Sequence, residues 1–207
     1  MGSAGLRNSE GYCRMTTLTH ADLVKIAGRW LRNTAGCSVV LEELCAATGN
    51  GENPDAIGWY CGRTLLVECK VSRSDFLADR KKAFRAEPAR GLGLYRYFMA
   101  PKGLLRAEEM PDRWGLLEVS GRRVYLSSGH EPKSWHQGVN PWAFEQRFHE
   151  GEQQMLLSAM ARIKVRVGAA EFHSMLHQRL MQPVQPPRTP GAETAARWAG
   201  FANEVAS

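Results

Sequence analysis

No apolar run in the chain approaches the roughly 20 residues that a membrane-spanning helix needs, so no membrane role is expected. The opening MGSAGLRNSEGYCRM lacks the apolar centre of a secretory signal, and no export is expected. Gly2 superficially suits N-myristoylation, but Leu6 stands where Ser or Thr is wanted. Cysteines number five (Cys13, Cys37, Cys45, Cys61 and Cys69), and no two form a CxxC pair. That odd count argues against a disulfide framework and a structural zinc site, and for a reducing, cytoplasmic setting. Arg90-Gly91-Leu92-Gly93 carries only GxG, which is neither a Rossmann nor a P-loop fingerprint. No Ser-His-Asp or Cys-His arrangement is legible, and His130 and His136 have no companion spacing that suggests acid–base work. His173 and His177 are four apart, but no third ligand lies in sequence reach, so they read as surface histidines. No internal repeat is evident.

Positive charge is what the chain has in excess. The 207 residues carry a formal net charge of +6, and 43% of them are hydrophobic, enough for one α/β domain with a sizeable core. The surplus is concentrated. Between Arg63 and Arg106, eleven Lys or Arg stand against four Asp or Glu. A solvated charged face is the plain reading of such a segment. A catalytic motif inside it turns the reading toward phosphate binding.

Residues 1–17 are expected to be a flexible lead. Thr19 resembles an N-cap, with Asp22 three residues on in a short capping box. Leu23, Ile26, Ala27, Trp30 and Leu31 follow at helical spacing, so a helix runs to about Asn33 and stops near Gly36. Residues 38–44 read as a strand and 46–52 as a loop. Residues 55–60 and 64–71 are two more strands around Cys61-Gly62. A helix over 72–84 follows, with Phe76, Leu77 and Phe84 toward the sheet, stopped by Pro88. Residues 95–100 form a strand closed by Pro101, and 114–119 with 123–126 a hairpin around Ser120-Gly121. Asn140-Pro141 opens a helix with Phe144, Phe148, Met155, Ala159, Met160 and Ile163 on its apolar side. A short helix covers 170–181. The stretch QPVQPPRTPG is a Pro-rich linker, and the tail beyond it is expected to form a small amphipathic helix with Trp198 and Phe201.

The stretch from Asn53 to Lys82 organises the rest. If Cys61-Gly62 is a two-residue hairpin loop, Tyr60 pairs with Arg63. Counting along the antiparallel ladder then sets Asp55 opposite Glu68, and directly opposed side chains lie about 5 Å apart at Cβ. Strand alternation puts Leu66, Glu68 and Lys70 on one face and Leu65, Val67 and Cys69 on the other. Two carboxylates and an ammonium therefore converge. Unpaired, the two acids repel each other, and Lys70 offsets only part of that. The set suits phosphodiester cleavage, in which carboxylates hold a divalent ion and a cation neutralises charge developing at phosphorus. Mg²⁺ suits such a site, being hard and usually keeping several waters. Lys70 is also placed to orient or deprotonate the attacking water. The carbonyl of Cys69 is a further candidate ligand, since its side chain points the other way.

Pro54-Asp55 followed by Glu68-Cys69-Lys70 resembles the PD-(D/E)XK nuclease superfamily, over roughly residues 20–126. The run Glu68-Cys69-Lys70-Val71-Ser72-Arg73-Ser74-Asp75-Phe76-Leu77-Ala78-Asp79-Arg80-Lys81 resembles, more narrowly, the MmcB-like DNA-repair group within it. The resemblance implies a restriction-endonuclease-like core: a mixed central sheet flanked by helices across a nuclease-like α/β domain at 18–181, with a C-terminal helix and a Pro-rich linker and tail at 182–207. It implies Asp55 and Glu68 as metal-binding and Lys70 as catalytic, with Mg²⁺ or Mn²⁺ as cofactor. The superfamily often adds an acid from the first helix. Here that helix offers only Asp22, so Glu43 is the better candidate, with Glu42 its rival. Asp75 and Asp79 read as an N-terminal dipole partner and a salt-bridge acid.

Arg73, Arg80, Lys81 and Lys82 are then expected to contact phosphates, positioning rather than reading sequence. Tyr95, Tyr97 and Trp59 suit base stacking, with core packing the readier role. The expected function is a metal-dependent DNA nuclease in repair, defence or phage-type DNA processing, with RNA not excluded as substrate. A non-catalytic nucleic-acid-binding module that keeps the nuclease fold is the alternative. A third reading is an adaptor that meets a protein partner through its C-terminal tail.

Overall fold

A computed structural model describes residues 18–46, 48–79, 81–134 and 140–180. The chain divides into two compact units, residues 1–159 and 160–207. The expected lead, the Pro-rich linker and the tail lie outside the described residues.

The first unit is built on a mixed six-stranded sheet. Helix α1 (His20–Asn33) precedes strands β1 (Val39–Glu42), β2 (Ala56–Tyr60) and β3 (Arg63–Cys69). Two short helices, α2 (Arg73–Asp79) and α3 (Ala83–Ala86), lead to β4 (Tyr95–Pro101), β5 (Trp114–Ser120) and β6 (Arg123–Ser128). Helices α4 (His149–Val167) and α5 (Ala169–Leu180) close the described chain. The strands lie in sequence order. The outer pairs, β1–β2–β3 and β5–β6, are antiparallel, while β3, β4 and β5 run parallel. Parallel neighbours need a crossover, and α2 and α3 lie in the one between β3 and β4.

The expected hairpin register holds. Tyr60 pairs with Arg63, and the ladder continues in step to Ala56 and Val67. Cys61 and Gly62 both take positive φ, 46° and 74°, as a two-residue turn matching the strand twist requires. The expected capping box is present too: Thr19 and Asp22 cap each other's backbone at the start of α1.

Alternation along β3 and β4 divides the core between the two faces. Leu65, Val67 and Cys69, with Tyr97 and Met99, pack against Leu23, Ala27, Trp30 and Leu31 of α1. Leu66 packs on the opposite face with Phe98, Ile57, Phe76, Trp114, Phe144 and Met155. Tyr95 and Tyr97 are thus core residues, and Trp59 packs against the second cluster.

Three expected elements need correction. The helix over 72–84 is two, because Lys81 and Lys82 turn back to the carbonyls of Ala78 and Asp79, and Lys82 pairs with the Asp79 side chain. Leu77 is exposed there, while Phe76 is buried. The helix opening at Asn140 begins instead at His149. Asn140 is tied to Tyr95 and His130 by its amide, and the Phe144 amide donates to the Leu94 carbonyl, which keeps this stretch along the sheet. The strand expected over 38–44 is limited to Val39–Glu42, because Glu43 takes a left-handed φ of 48°.

The first turns of α4 are part of the sheet's packing. The buried Glu152 accepts from Thr64 Oγ1 at 2.8 Å, the Gly93 amide at 2.9 Å and Arg147 Nε at 2.9 Å. Among the described residues no helix is long and apolar enough to cross a membrane. In α5, His173 and His177 share one helix as expected.

The cap yields a test of the local reading. Thr19→Ala removes the side-chain acceptor and is expected to cost about 1 kcal/mol, read as a lowered urea midpoint with unchanged slope.

Candidate functional site

Continued one step past Ala56 and Val67, the β2–β3 register sets Asp55 opposite Glu68, at the open end of the hairpin. Asp55 is fixed from two sides. Its Oδ2 accepts from the Cys69 amide at 2.7 Å, and its Oδ1 lies 3.3 Å from His20 Nε2. Its carbonyl accepts from the Glu43 amide at 2.9 Å, which ties the left-handed residue after β1 to this point. Glu43 Oε1 lies 4.0 Å from the same His20 nitrogen. Glu42 points elsewhere, into an ion pair with Arg32 at 2.7 Å. Of the two rival acids, Glu43 is the one brought to Asp55.

Glu68 and Lys70 are brought together as the strand alternation requires. Both are buried, and Lys70 Nζ lies 3.8 Å from Glu68 Oε2. The Lys70 amide still donates to the Met99 carbonyl, so the residue is held at the sheet although β3 ends at Cys69. The thiol of Cys69 faces the α1 side within the core, as expected.

Around this pair lies a buried ionic network that the motif reading did not contain. Lys70 Nζ is 3.2 Å from Asp79 Oδ1 and 3.8 Å from Asp75 Oδ1. Arg85, from α3, reaches Asp79 Oδ2 at 2.7 Å and Glu68 Oε1 at 3.1 Å, and also pairs with Glu52. Its guanidinium sits 4.6 Å from the Trp114 ring centre. Glu52, from the loop before β2, also accepts from the Leu92 amide at 2.7 Å. Asp79 takes the salt-bridge role expected of it, but Glu52 and Arg85 lie 33 residues apart and follow no helical or strand period, so nothing local marks them. His20 was open to notice, because it lies at the start of the helix from which the resemblance implies an added acid.

The network sets the electrostatics. Burial pushes Glu68 up to about 7; Arg85 and Lys70 pull it down by less, and Asp55 adds to the rise. Burial pushes Asp79 up as well, but Arg85 and Lys82 outweigh it and hold Asp79 at about 2. Burial lowers Lys70, and Glu68, Asp79 and Asp75 together outweigh it, so its pKa rises. Lys70 is therefore an ammonium at neutral pH.

The basic residues expected to meet phosphate are placed differently from one another. Arg73 is paired with Glu109, Lys82 lies 2.6 Å from Asp79 Oδ1, and Lys81 is exposed. Arg80 lies outside the described residues.

Among the described residues, no three or more His, Cys, Asp or Glu are grouped so as to hold a metal ion. Two carboxylates at the end of a hairpin still match a hard cation that binds through one or two carboxylates and keeps its waters.

No family model matches the chain, and no curated protein matches it. One solved structure is similar: a protein of unknown function from Silicibacter pomeroyi. It is 20% identical, covers 83% of this chain and 100% of its own, and superposes with a TM-score of 0.47. That likeness assigns neither fold family nor activity to this chain.

The raised Glu68 gives a signed pH dependence. Its folded-state pKa of about 7 lies above the ordinary 4.5, so its contribution to stability is full below about pH 4.5. It is lost as pH rises through 7. Glu68→Gln should flatten this descent, and wild type should lose on the order of 3 kcal/mol relative to it between pH 4.5 and 7. Urea unfolding across that range measures the difference.

Proposed function

We propose that the chain is a Mg²⁺- or Mn²⁺-dependent nuclease of the PD-(D/E)XK type, with a restriction-endonuclease-like core, acting on DNA. One observation carries the reading: Asp55 and Glu68 stand next in register at the open end of one hairpin, and the Lys70 ammonium lies 3.8 Å from Glu68. Repair, defence and phage-type DNA processing are the settings such an activity fits.

In this reading Asp55 and Glu68 would hold the divalent ion, with the Cys69 carbonyl as a further oxygen donor. The bound ion supplies Lewis-acid polarisation of the phosphate and a more acidic water. Lys70 faces the charge that develops on the phosphate oxygens while the water oxygen bonds to phosphorus and the bond to the leaving oxygen breaks. Its raised pKa keeps it a cation for that role. Glu43 and His20 line the outer side of Asp55. Lys81, exposed beside the site, is the clearest phosphate contact of the basic segment, and the Pro-rich tail is left for a protein partner.

A second reading, a nucleic-acid-binding module without catalysis, draws on a different observation. Glu68 is already engaged by Arg85 and Lys70 and is almost fully buried. Metal uptake separates the two: calorimetry that finds no Mn²⁺ binding alongside salt-sensitive DNA binding favours the module.

The nuclease reading predicts Mn²⁺-dependent cleavage across a panel of single-stranded, duplex, branched and RNA substrates. Asp55→Asn, Glu68→Gln and Lys70→Met should each lower it by about 100-fold or more, with the far-ultraviolet circular dichroism of the wild type retained. Full cleavage by all three folded variants would refute it.

A further inference from the structure

We propose that Asp79 is a positioning residue for Lys70, and that Arg85 holds Asp79 in place for that task. The inference rests on the nuclease reading in that it takes Lys70 as catalytic. It concerns a residue the motif itself does not use.

A lysine ammonium is a compact point charge on a flexible four-carbon stem, and a buried one points where its partners put it. Three carboxylates surround Lys70 Nζ, but only Asp79, at 3.2 Å, stands at hydrogen-bond distance. Glu68 and Asp75 are both at 3.8 Å. Asp79 is also the best fixed of the three. It closes α2, its side chain is 1% exposed, and its second oxygen accepts from Arg85 Nε at 2.7 Å. Asp75, one turn earlier, has a 45% exposed side chain and no such anchor.

Arg85 is in turn immobilised by contacts other than Asp79. Glu52 and Glu68 pair with it, and Trp114 lies against its guanidinium. Glu52 is itself held by the Leu92 amide. A chain of fixed groups thus runs from the loop before β4, through Glu52, Arg85 and Asp79, to the Lys70 ammonium. The two oxygens of Asp79 divide the work: one faces Arg85 and the other faces Lys70. Lys82 reaches the Lys70-facing oxygen from the exposed side at 2.6 Å.

Asp79→Asn keeps the shape and removes the charge. Single-turnover cleavage with Mn²⁺ should fall about 100-fold in kcat, with KM within about threefold of wild type. Asp79→Glu should recover about tenfold of that loss. Arg85→Lys keeps the positive charge but loses the fork that fixes Asp79, and should lower kcat in the same direction if Asp79→Asn does not fold. An activity-independent measurement accompanies these: the rate at which an amine-acylating reagent labels Lys70, relative to exposed Lys25, by peptide mass spectrometry. Freed from Asp79, Lys70 should label about tenfold faster in Asp79→Asn. A folded Asp79→Asn protein with wild-type kcat, or with an unchanged Lys70 labelling rate, overturns the proposal. A wild-type protein that cleaves no substrate in the panel overturns the nuclease reading instead, and the labelling rate still decides whether Asp79 fixes Lys70.

Discussion

Three carboxylates, from the loop before β2, from β3 and from the end of α2, converge on the buried guanidinium of Arg85. Taking charges out of water costs several kcal/mol per ion, and removing one partner from such a group costs about 3–5 kcal/mol. Arg85 is therefore what allows Glu52, Glu68 and Asp79 to lie inside at once. Apolar side chains of similar volume often serve stability as well or better. Stability alone thus gives little reason for so many charges at the end of this sheet. A site that must present carboxylates and an ammonium together gives a better one.

The same network explains how short helices suffice in the β3–β4 crossover. Helix α2 buries little of itself beyond Phe76 and Asp79. Phe76 packs edge-on against Phe98, at 5.0 Å between ring centres, and Asp79 is clamped by Arg85 and Lys82. One apolar anchor at its middle and one ionic anchor at its end therefore hold a short helix whose own hydrogen bonds would leave it marginal. The break after Asp79 lets α3 turn Arg85 back beneath the sheet's end.

Much of the first half of the chain was legible because its signals are local. The Thr19–Asp22 cap, the helical spacing from Leu23 to Leu31 and the Cys61-Gly62 turn each act within a few residues. The turn in particular fixes the register of β2 on β3, and with it the meeting of Asp55 and Glu68. What escaped depends on contacts made over distance. Glu52 and Arg85 are 33 residues apart, and Glu52 reads from sequence as one more polar loop residue. Asn140 carries a helix-start signature that its bonds to Tyr95 and His130 override. The break between α2 and α3 was hidden although its contacts are local, since Asp79 and Lys82 look like any pair on a charged helix.

Glu152 shows where the folded unit must extend. It sits in a helix that the sequence presents as a late addition, yet its carboxylate is the common acceptor for Thr64, Gly93 and Arg147. Met155, one turn on, fills the core beside Phe144 and Leu92. Shortening the chain from its C-terminal side therefore meets a floor at about this turn. Cut before it, the chain would leave a strand hydroxyl, a loop amide and a buried guanidinium without their acceptor. The start of β3, which leads to Glu68 and Lys70, would lose its clasp with them.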